Sequence, residues 1–463
     1  MAGPDRYDIL IIGGGTGGYS CALRAAQLGM SVGLVEKHIV GGTCLHLGCI
    51  PTKALLQTAE VAEHAKEAGE FGVQATFDGI EVRAVHEYKN AVVGSMTRGL
   101  QATLKSRGVR VIRGHGRLVD SRTVDVEGED GGRYAGDAIV VAPGSVPREI
   151  PPAPYDGTRI IHSDHALSLD FVPERALVLG AGAVGMEFAS IWHAFGSEVM
   201  VVEMEERLLP LEDPDVSREI QRQFRRQGIQ SVTGATLTSV AVAEAGVVAT
   251  IATKGGEEQV GATILLVAVG RRPRTENVGL EEVGVELEKG FIKVDEYCRT
   301  NVEGVWAVGD AIPTLGLAHA SFMEGILVAD QLYGLDVVPI DYAGVPRVTF
   351  CHPEVASVGL SEPQAQARGY EVEVKKFPFQ HIARAQMMKQ SGVVKLVAAR
   401  DGQVLGIHLV GPRATDLIAE AELIYNWEAL PIDVARFIHP HPTLNEAIGE
   451  AHLALAGRGL HST

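Results

Sequence analysis

Residues 8–18 read DILIIGGGTGG, an apolar run that leads directly into a turn of six residues, five of them glycine. The β-branched side chains of residues 8–12 predict a strand. An alanine-rich segment follows and predicts a helix to Leu28, where Gly29 would end it. A second strand is predicted at residues 31–35, immediately before Glu36. The predicted order is therefore strand, glycine turn, helix and strand.

The same order returns 167 residues later in the chain. Residues 176–179 predict a strand, the turn reads GAGAVG, and a strand at residues 198–202 leads into Glu203. The glycines of the two turns hold equivalent positions: Gly13, Gly15 and Gly18 in the first, and Gly180, Gly182 and Gly185 in the second. Glu36 and Glu203 each stand 18 residues after the last glycine of their turn.

The repeated turns predict two dinucleotide-binding units. Glycines let the backbone turn sharply and let a pyrophosphate approach the helix N-terminus, while the carboxylate accepts hydrogen bonds from ribose hydroxyls. A glycine turn that only packs a strand against a helix is the alternative, but two copies with the same acidic spacing favour nucleotide binding. Glu203 would repel a 2′-phosphate, and the next arginine is Arg207, so the second unit is expected to prefer NAD over NADP.

The composition is that of an ordinary globular protein, with 46% hydrophobic and 21% charged residues. The length of 463 residues suggests about two to four domains. The net charge of −17 argues against nucleic acid or an anionic membrane surface as a partner. No apolar run approaches the roughly 20 residues that span a bilayer, and no secretory signal pattern opens the chain. Five cysteines suit a reducing cytoplasm and one redox-active pair.

Residues 41–53 read GGTCLHLGCIPTK and place two cysteines at the start of a predicted helix. In a regular helix Cys44 and Cys49 would lie more than about 8 Å apart, too far for a disulfide. Gly48 and Pro51 break that regularity, and a distorted first turn would bring the sulfurs into range, with the helix dipole favouring a thiolate. The alternatives are inert buried cysteines or half of a metal site, but CxxxxC is not a zinc spacing and no metal is expected. The remaining cysteines are expected to be small core residues: Cys21, Cys298 and Cys351.

Residues 439–446 read HPHPTLNE and suggest a general base. Pro442 fixes the start of a helix just after His441, and Glu446 in its first turns can reach back toward the imidazole. A carboxylate partner orients the ring and fixes its tautomer, as a base for a thiol requires. A single histidine is more often a surface or core residue, but the cysteine pair favours catalysis here. His439 has no comparable partner in the sequence and is expected to be structural.

These motifs resemble the pyridine nucleotide–disulfide oxidoreductases and, within that family, the dihydrolipoamide dehydrogenases. The resemblance covers nearly the whole chain. It rests on the two glycine turns, the cysteine segment, GVWAVGDA at residues 304–311, LAHA at residues 317–320 and HPHPTLNE. The CxxxxC and HPTxxE motifs stand at opposite ends of the chain, so a chance coincidence would be rare.

The resemblance implies four segments. Residues 1–149 would form the first part of an FAD-binding domain, and residues 150–272 an NAD-binding domain. Residues 273–345 would form the second part of the FAD or central domain, and residues 346–463 the C-terminal interface. The expected fold class is α/β, with two Rossmann-like dinucleotide-binding domains plus a C-terminal α+β dimerisation domain.

The resemblance also assigns residues to the two cofactors. The residues expected to hold FAD are Gly13, Gly15, Gly18, Glu36, Gly42, Thr43, Lys53, Gly116, Gly144, Ser145, Asp310 and Ala318. The residues expected on the NAD side are Gly180, Gly182, Gly185, Glu187, Glu203, Gly270 and Arg271. Lys53 would lie near the flavin ring and pair with Glu187.

Four residues would carry the chemistry that the resemblance implies. His441, oriented by Glu446, would take a proton from a dithiol, the resulting thiolate would attack Cys44, and Cys49 would lie against the flavin. The chain would form a homodimer in which the histidine and glutamate reach into the partner's active site. The expected partners are lipoyl domains of a 2-oxo acid dehydrogenase complex or of a glycine cleavage system.

Two alternatives stay open at this point. Another low-molecular-weight disulfide reductase, of the glutathione or mycothiol type, would have the same fold, although Glu203 argues against its usual NADP-dependent members. An FAD-binding scaffold subunit of a multienzyme complex is an alternative of another class. No catalytic group that the motifs require is missing, which argues against pure scaffolding.

Overall fold

The structure, a computed structural model, describes residues 5–461, so residues 1–4 and 462–463 of the predicted first and last segments lie outside the described residues. The strands in chain order are β1 Asp5–Ile12, β2 Val32–Glu36, β3 Arg110–Arg113, β4 His115–Asp120, β5 Thr123–Glu127, β6 Gly132–Val141, β7 Ser145–Pro147, β8 Ile160–Ile161, β9 Arg175–Leu179, β10 Glu198–Val202, β11 Gln230–Val232, β12 Thr236–Ala243, β13 Gly246–Thr253, β14 Gly256–Ala262, β15 Ile264–Val267, β16 Arg271–Pro273, β17 Leu287–Glu288, β18 Phe291–Ile292, β19 Val305–Ala307, β20 Arg347–Thr349, β21 Glu354–Gly359, β22 Val372–Pro378, β23 Val393–Ala399 and β24 Val404–Gly411.

The α-helices in chain order are α1 Thr16–Gln27, α2 Gly42–Leu47, α3 Cys49–Glu67, α4 Val82–Ser106, α5 Ser163–Ala166, α6 Ala183–Phe195, α7 Pro214–Gln227, α8 Leu280–Val283, α9 Ala318–Tyr333, α10 Glu362–Ala367, α11 Ala383–Met387, α12 Ala414–Asn426, α13 Pro431–Val434 and α14 Glu446–Leu455. Short 3-10 turns occupy Ala68–Phe71, Gly309–Ala311, Tyr342–Gly344 and Phe379–His381. None of the helices within residues 5–461 is both long and apolar enough to cross a membrane.

These elements form two compact units. Unit 1 is formed by the described parts of residues 1–54, 84–148 and 271–342. Unit 2 is formed by the described parts of residues 55–83, 149–270 and 343–463. The cysteine pair therefore belongs to unit 1, and HPHPTLNE belongs to unit 2.

Unit 1 is built on a parallel sheet in the order β3-β2-β1-β6-β19. This is the strand order of a dinucleotide-binding half, and β6 continues into an antiparallel meander with β5 and β4. Helices α1 and α9 pack closely because Gly325 lacks a side chain. A Cβ there would lie 2.2 Å from Ser20 Oγ and 2.4 Å from Gly17 O. The close packing fixes the helix that begins at the first glycine turn.

Unit 2 repeats the parallel arrangement in the order β11-β10-β9-β15-β8. An antiparallel sheet of β12, β13 and β14 follows within the same stretch of chain. The apolar residues of β9 and β15 are buried, the pattern expected of parallel strands with both faces covered. The second glycine turn stands at the carboxyl end of β9, where this fold binds its ligands.

The last part of unit 2 is an antiparallel sheet in the order β20-β21-β24-β23-β22, with α12 and α14 packed on it. Lys395 on β23 is 1% exposed and would be costly without partners. Its Nζ donates to carboxylates of Asp213, Asp215 and Glu362 at 2.9, 2.7 and 2.7 Å. The buried charge is therefore compensated by three carboxylates.

The two parallel sheets and the antiparallel sheet confirm the predicted α/β class and its α+β ending. Strand β10 spans Glu198–Val202, as predicted, whereas β1 begins earlier than expected, at Asp5. The boundaries of the four predicted domains stay a prediction, because the chain divides into two units rather than at those residues.

Candidate active site

The first glycine turn, residues 13–18, has a backbone that excludes side chains at both ends. Gly13 has a φ of +101°, which favours glycine. A Cβ on Gly18 would lie 1.8 Å from Gly13 O, so α1 could not start so close to β1 with any larger residue. Glu36 Oε2 accepts a hydrogen bond from Gly14 N–H at 2.7 Å. The predicted carboxylate therefore reaches the turn itself.

A cavity of about 490 Å³ opens beside this carboxylate. Its lining includes Gly13, Glu36 and Gly116, three residues predicted from separate parts of the sequence to hold FAD. Gly116 has little room for a side chain, because a Cβ there would lie 3.1 Å from Val35 Cγ1. The remaining walls include Pro143 and Asn277. A narrow space with a ribose-binding carboxylate at its wall fits the adenosine end of a dinucleotide.

A polar cluster lies after the carboxyl ends of β6 and β19. Ser145 Oγ donates to Asp310 Oδ2 at 2.5 Å, and Arg271 Nε donates to Ser145 Oγ at 2.7 Å. Arg271 NH2 also donates to the Ser145 carbonyl at 2.9 Å, and its Nε lies 4.0 Å from Asp310 Oδ2. Arg271, predicted on the NAD side, thus contacts two residues predicted to hold FAD.

Glu324, which no sequence motif singled out, supports the turn that carries Asp310. It is fully buried, and its carboxylate accepts from Gly309 N–H at 2.7 Å and from Thr314 Oγ1 at 2.9 Å. Tyr342 OH donates to it at 3.0 Å. Burial raises the pKa of Glu324 against these lowering hydrogen bonds. An acidic residue within the apolar helix segment 320–329 was the signal available in the sequence.

The cysteine pair lies where one helix ends and another begins. Cys44 is in α2, Gly48 breaks the helix with φ −150° and ψ −111°, and Cys49 is the first residue of α3. Both cysteines are half-buried thiols in this structure, and their side chains are hydrogen-bonded to each other. The predicted distorted turn is confirmed, as a break between two helices. The other three cysteines are buried in the core, as predicted: Cys21, Cys298 and Cys351.

The surroundings of the cysteine pair raise the pKa of Cys44 and of the neighbouring Tyr19. The hydrogen bond with Cys49 and then burial raise the pKa of the Cys44 thiol, while the Lys53 ammonium opposes them. Burial, and next the nearby Cys44 and Cys49, raise the pKa of Tyr19 to about 12. Tyr19 also packs on Phe322, with ring centroids 5.5 Å apart. The hydrogen bond and burial therefore favour the protonated form of Cys44, and the raised pKa of Tyr19 favours a neutral phenol beside the pair.

The cysteine segment is attached to the first glycine turn. Gly41 N–H donates to Gly14 O at 2.7 Å, and a Cβ on Gly42 would lie 2.6 Å from the Gly15 Cα. Thr43 follows Gly42 in α2, next to Cys44. Among the other residues predicted to hold FAD, Gly144 has a φ of +75° just before β7, and Ala318 is the first residue of α9.

The second glycine turn repeats this geometry in unit 2. Gly180 has a φ of +101°, and a Cβ on Gly185 would lie 1.9 Å from Gly180 O. Glu203 Oε2 accepts from Ala181 N–H at 2.6 Å and is 8% exposed. Gly182 has open space around its Cβ position, so only a ligand would fill it. The turn can hold a pyrophosphate at the start of α6.

The remaining residues predicted on the NAD side have different surroundings. Glu187 is 4% exposed in α6, and its Oε1 accepts from Phe350 N–H at 3.1 Å. Gly270 has a φ of +108° and is the last residue of the middle segment of unit 2. Lys53 belongs to unit 1, so its pairing with Glu187 stays a prediction.

The predicted histidine–glutamate pair is present in unit 2. His441 Nδ1 lies 2.8 Å from Glu446 Oε1, and Glu446 Oε2 accepts from Thr443 N–H at 2.9 Å. Burial opposes ionisation of Glu446, but the hydrogen bonds from His441 and Thr443 outweigh it and lower its pKa. The His441 side chain is 72% exposed, so its orientation depends on these hydrogen bonds rather than on packing.

His439 corrects the expectation that it lacks a partner. Its Nε2 lies 2.7 Å from Glu420 Oε1, and the hydrogen bond raises the pKa of His439 despite partial burial. The partner comes from α12, too far along the chain for a local motif to indicate it. Both histidines of residues 439–446 are therefore paired with a glutamate: His439 with Glu420, and His441 with Glu446.

Two family models together match most of the chain. The pyridine nucleotide-disulphide oxidoreductase model matches residues 7–325. The dimerisation-domain model of the same family matches residues 345–452. The chain belongs to the pyridine nucleotide-disulphide oxidoreductases. This confirms the predicted family, and the dimerisation domain supports the predicted homodimer.

Relatives and a solved structure cover nearly all of the chain. The dihydrolipoyl dehydrogenase of Bacillus subtilis (strain 168) is 41% identical, covering 98% of this chain and 99% of the relative. The mitochondrial dihydrolipoyl dehydrogenase of Pisum sativum is 37% identical, covering 99% and 93%. The crystal structure of LpdA from Mycobacterium tuberculosis is 29% identical, with a TM-score of 0.90, and covers 97% and 99%.

Membership of this oxidoreductase family confirms the predicted cofactors, FAD and NAD, and an enzyme that acts on sulfur groups. The two glycine turns fit these cofactors, because each has a carboxylate at its edge and glycines where a side chain would fill the approach to the backbone. The roles of the individual residues at each cofactor stay predictions.

Proposed function

We propose that the protein oxidises dihydrolipoamide with NAD⁺, through bound FAD and the cysteine pair. The observation that carries the proposal is the hydrogen-bonded Cys44–Cys49 pair at the break between α2 and α3. The similar dihydrolipoyl dehydrogenases of Bacillus subtilis and Pisum sativum support the same substrate. Without the two thiols at this break, the glycine turns alone would suit many flavoprotein reactions.

The residues of unit 1 would hold FAD and those of unit 2 would hold NAD. Glu36 and Gly116 would receive the adenosine end of FAD in the cavity, and Asp310 its ribityl or pyrophosphate part, with Glu203 and Gly182 serving NAD. Bound FAD supplies two-electron transfer between the cysteine pair and NAD⁺. The chain itself supplies positioning, proton transfer and the cysteine pair that exchanges with the substrate thiols.

The thiol chemistry then divides into two exchanges. His441 takes the proton of the first substrate thiol at its imidazole nitrogen, and the thiolate attacks Cys44 Sγ of the oxidised pair. The Cys44–Cys49 bond breaks, and Cys49 leaves as a thiolate. His441 passes the first proton to solvent and then takes the proton of the second substrate thiol. The second thiolate attacks the substrate sulfur bonded to Cys44 and closes the cyclic disulfide, and Cys44 leaves as a thiolate. Cys44 takes the proton back from His441, in keeping with the pKa that its hydrogen bond with Cys49 and its burial raise.

The proposal extends to the assembly. His441 is largely exposed in the single chain, and the dimerisation domain carries it. We place it in the partner's active site, where it would serve the partner's cysteine pair. The lipoyl group would arrive on a separate lipoyl domain of a 2-oxo acid dehydrogenase complex or a glycine cleavage system. The cytoplasm is the proposed compartment, because a dithiol pair needs reducing surroundings.

Cys44→Ser in the holoenzyme tests the thiol exchange. We expect bound FAD at wild-type content and a loss of dihydrolipoamide turnover of at least about a thousandfold, because the nucleophilic exchange has no electrophilic sulfur. A Cys351→Ser variant, changed far from the pair in sequence, is the matched control. Full dihydrolipoamide turnover by Cys44→Ser would contradict the proposal.

A substrate comparison separates the remaining family activities. The wild-type holoenzyme is assayed with dihydrolipoamide and NAD⁺, and then with glutathione disulfide and NADPH. Faster turnover in the first assay supports the proposal. Faster turnover in the second would replace it with a glutathione-type reductase, and absence of turnover in both with bound flavin would favour a scaffold subunit.

A further inference from the structure

One carboxylate of α12 holds both ends of the loop that carries His441. Glu420 Oε1 lies 2.7 Å from His439 Nε2, and Glu420 Oε2 accepts from Asn445 Nδ2 at 2.7 Å. His439 opens the loop of residues 439–446, and Asn445 is the last residue before α14. The two oxygens of a single side chain therefore fix the two ends of the loop.

The part of the loop around His441 has little packing of its own, although Leu444 near its end is buried in the core. His441 is 72% exposed as a side chain, and Pro440 and Pro442 are exposed as well. Inside the loop, Thr443 Oγ1 donates to the Pro440 carbonyl at 2.7 Å, which ties the middle of the loop to its beginning. The exposed histidine thus depends on anchors at its two ends for its position.

The hydrogen bond between His439 and Glu420 is partly buried, and the His439 ring is closely packed. The His439 side chain is 13% exposed and that of Glu420 is 26% exposed. A Cβ on Gly449 would lie 2.5 Å from His439 Nδ1, so the imidazole packs directly on the backbone of α14. A partly buried, charge-assisted hydrogen bond is stronger than a surface one. Glu420 thereby connects α12, the loop and α14.

We propose that Glu420 is a positioning residue for the His441–Glu446 pair. The inference rests on the proposed function, in which His441 is the base for the substrate thiol. Glu420 does not touch the substrate. It acts through His439 and Asn445, whose positions set the direction in which His441 points and the place where Glu446 begins α14.

The charges around Glu420 favour the ionised carboxylate. Burial opposes ionisation, but the hydrogen bonds from His439 and Asn445 outweigh it and lower the pKa of Glu420. The titratable groups that face the pair are Glu446 and His452 on α14, with His441 in the loop near Glu446. Burial lowers the pKa of His452 to about 4, so His452 adds no charge near neutral pH.

Glu420→Ala in the holoenzyme tests this role, with Glu422→Gln on the same helix as the matched control. We expect kcat/KM for dihydrolipoamide to fall at least about tenfold in Glu420→Ala, mainly through kcat, because the base is misplaced rather than lost. Glu422→Gln should behave as the wild type.

Two further measurements separate positioning from a general loss of structure. NADH-dependent reduction of ferricyanide draws electrons from the flavin and needs no thiol base, so it should stay within about twofold of the wild type in Glu420→Ala. Glu420→Gln can still accept from Asn445 and face His439, so it should recover part of the lost kcat. These results would support the inference.

Two outcomes would overturn it. Unchanged dihydrolipoamide turnover in Glu420→Ala would do so, and so would a parallel loss of ferricyanide reduction and bound FAD. His441→Gln distinguishes this inference from the proposed function. Loss of dithiol turnover in His441→Gln without loss in Glu420→Ala would refute only the role of Glu420, whereas full turnover in His441→Gln would refute the base itself.

Discussion

The two glycine turns have the same local geometry in different surroundings. Gly13 and Gly180 share a φ of +101°, and each turn gives one backbone N–H to the glutamate of the next strand, at 2.7 Å for Glu36 and 2.6 Å for Glu203. Each turn is also braced from outside: Gly41 N–H donates to the first at 2.7 Å, and Leu209 N–H to the second at 2.9 Å. The glycine motif and the glutamate after it therefore produce the same backbone conformation in both turns.

The difference lies in the segment that braces each turn. After Gly41 the chain enters α2 and the cysteine pair, whereas after Leu209 it enters α7, whose first residues join the carboxylate cluster around Lys395. One turn is therefore attached to a redox group and the other to a structural ion network. The glycine turn therefore provides a dinucleotide site, and the segment that packs on the turn decides which chemistry the site serves.

The largest effects are expected where the turns cannot accept a side chain. In Gly18→Ala the new Cβ would lie 1.8 Å from Gly13 O, and in Gly185→Ala 1.9 Å from Gly180 O. Because backbone cannot yield as a flexible side chain does, each substitution should cost more than about 3 kcal/mol of stability. Chemical denaturation of both holoenzyme variants measures this. A loss confined to one of them would show that the turns are not equivalent.

The next effect separates the two turns by cofactor. Gly15 and Gly182 precede their helices in extended backbone, with open space or only a distant neighbour at the Cβ position, so alanine fits the protein at both. Gly15→Ala should lower FAD content, and Gly182→Ala should keep FAD and raise KM for NAD⁺ by about a hundredfold, because each methyl occupies the pyrophosphate approach. Visible absorption and NAD⁺ titration measure the two. Unaltered cofactor affinities in both variants would place the phosphates elsewhere.

A smaller effect concerns cofactor preference. Glu203→Ala removes the carboxylate that would repel a 2′-phosphate, so the ratio of NADP⁺ to NAD⁺ turnover should rise about tenfold. Glu36→Ala is the matched change in the first turn and should lower FAD retention without altering that ratio. A change of ratio in Glu36→Ala instead would reverse the assignment of the two turns.

The smallest effect extends the comparison to the two units under acid. Unit 2 fully buries His408 and His452, whose pKa values burial lowers, that of His452 to about 4. Such a histidine stabilises the fold above its unfolded pKa of about 6.5, and this contribution is lost as pH falls toward the folded value. In unit 1, buried Glu324 has a raised pKa, and its contribution has the opposite sign. Acidification should therefore weaken unit 2 relative to unit 1.

Between about pH 6.5 and pH 5.5, His452 should cost unit 2 on the order of 1 kcal/mol, and His408 should add a loss of the same sign. Amide hydrogen exchange of the holoenzyme, corrected for the intrinsic pH dependence and compared unit by unit, measures the difference. His452→Gln serves as the control and should reduce it. Equal weakening of both units in the wild type would contradict the assignment.

The sequence predicted those parts of the site that depend on local spacing. The glycine turns, their carboxylates and the cysteine pair each follow from a short motif, because neighbouring residues alone produce the geometry. The pairing of His441 with Glu446 also follows from their spacing. The predicted helix start at Pro442 was wrong, because α14 begins at Glu446 and Pro442 lies in the preceding loop. Gly116 required the resemblance, and the structure brings it to the cavity of Glu36.

Other parts could not be read from spacing, because their partners are far apart in the chain. Arg271, expected beside NAD, contacts Ser145 through the pairing of β16 with β7. His439, expected to be without a partner, meets Glu420 from α12. Glu324 appears in the sequence as a charge inside an apolar helix, and only its burial reveals the three groups that it holds.

By itself, the sequence determined the fold class, the two glycine turns with their carboxylates, the cysteine pair and the pairing of His441 with Glu446, since the local contacts span about 20 residues and follow backbone rules that hold in any protein. Only the tertiary structure decided which groups the buried Glu324 and the partly buried Glu420 contact. A carboxylate removed from water is stable only with its partners, and for both residues those partners lie on separate elements that packing alone brings together.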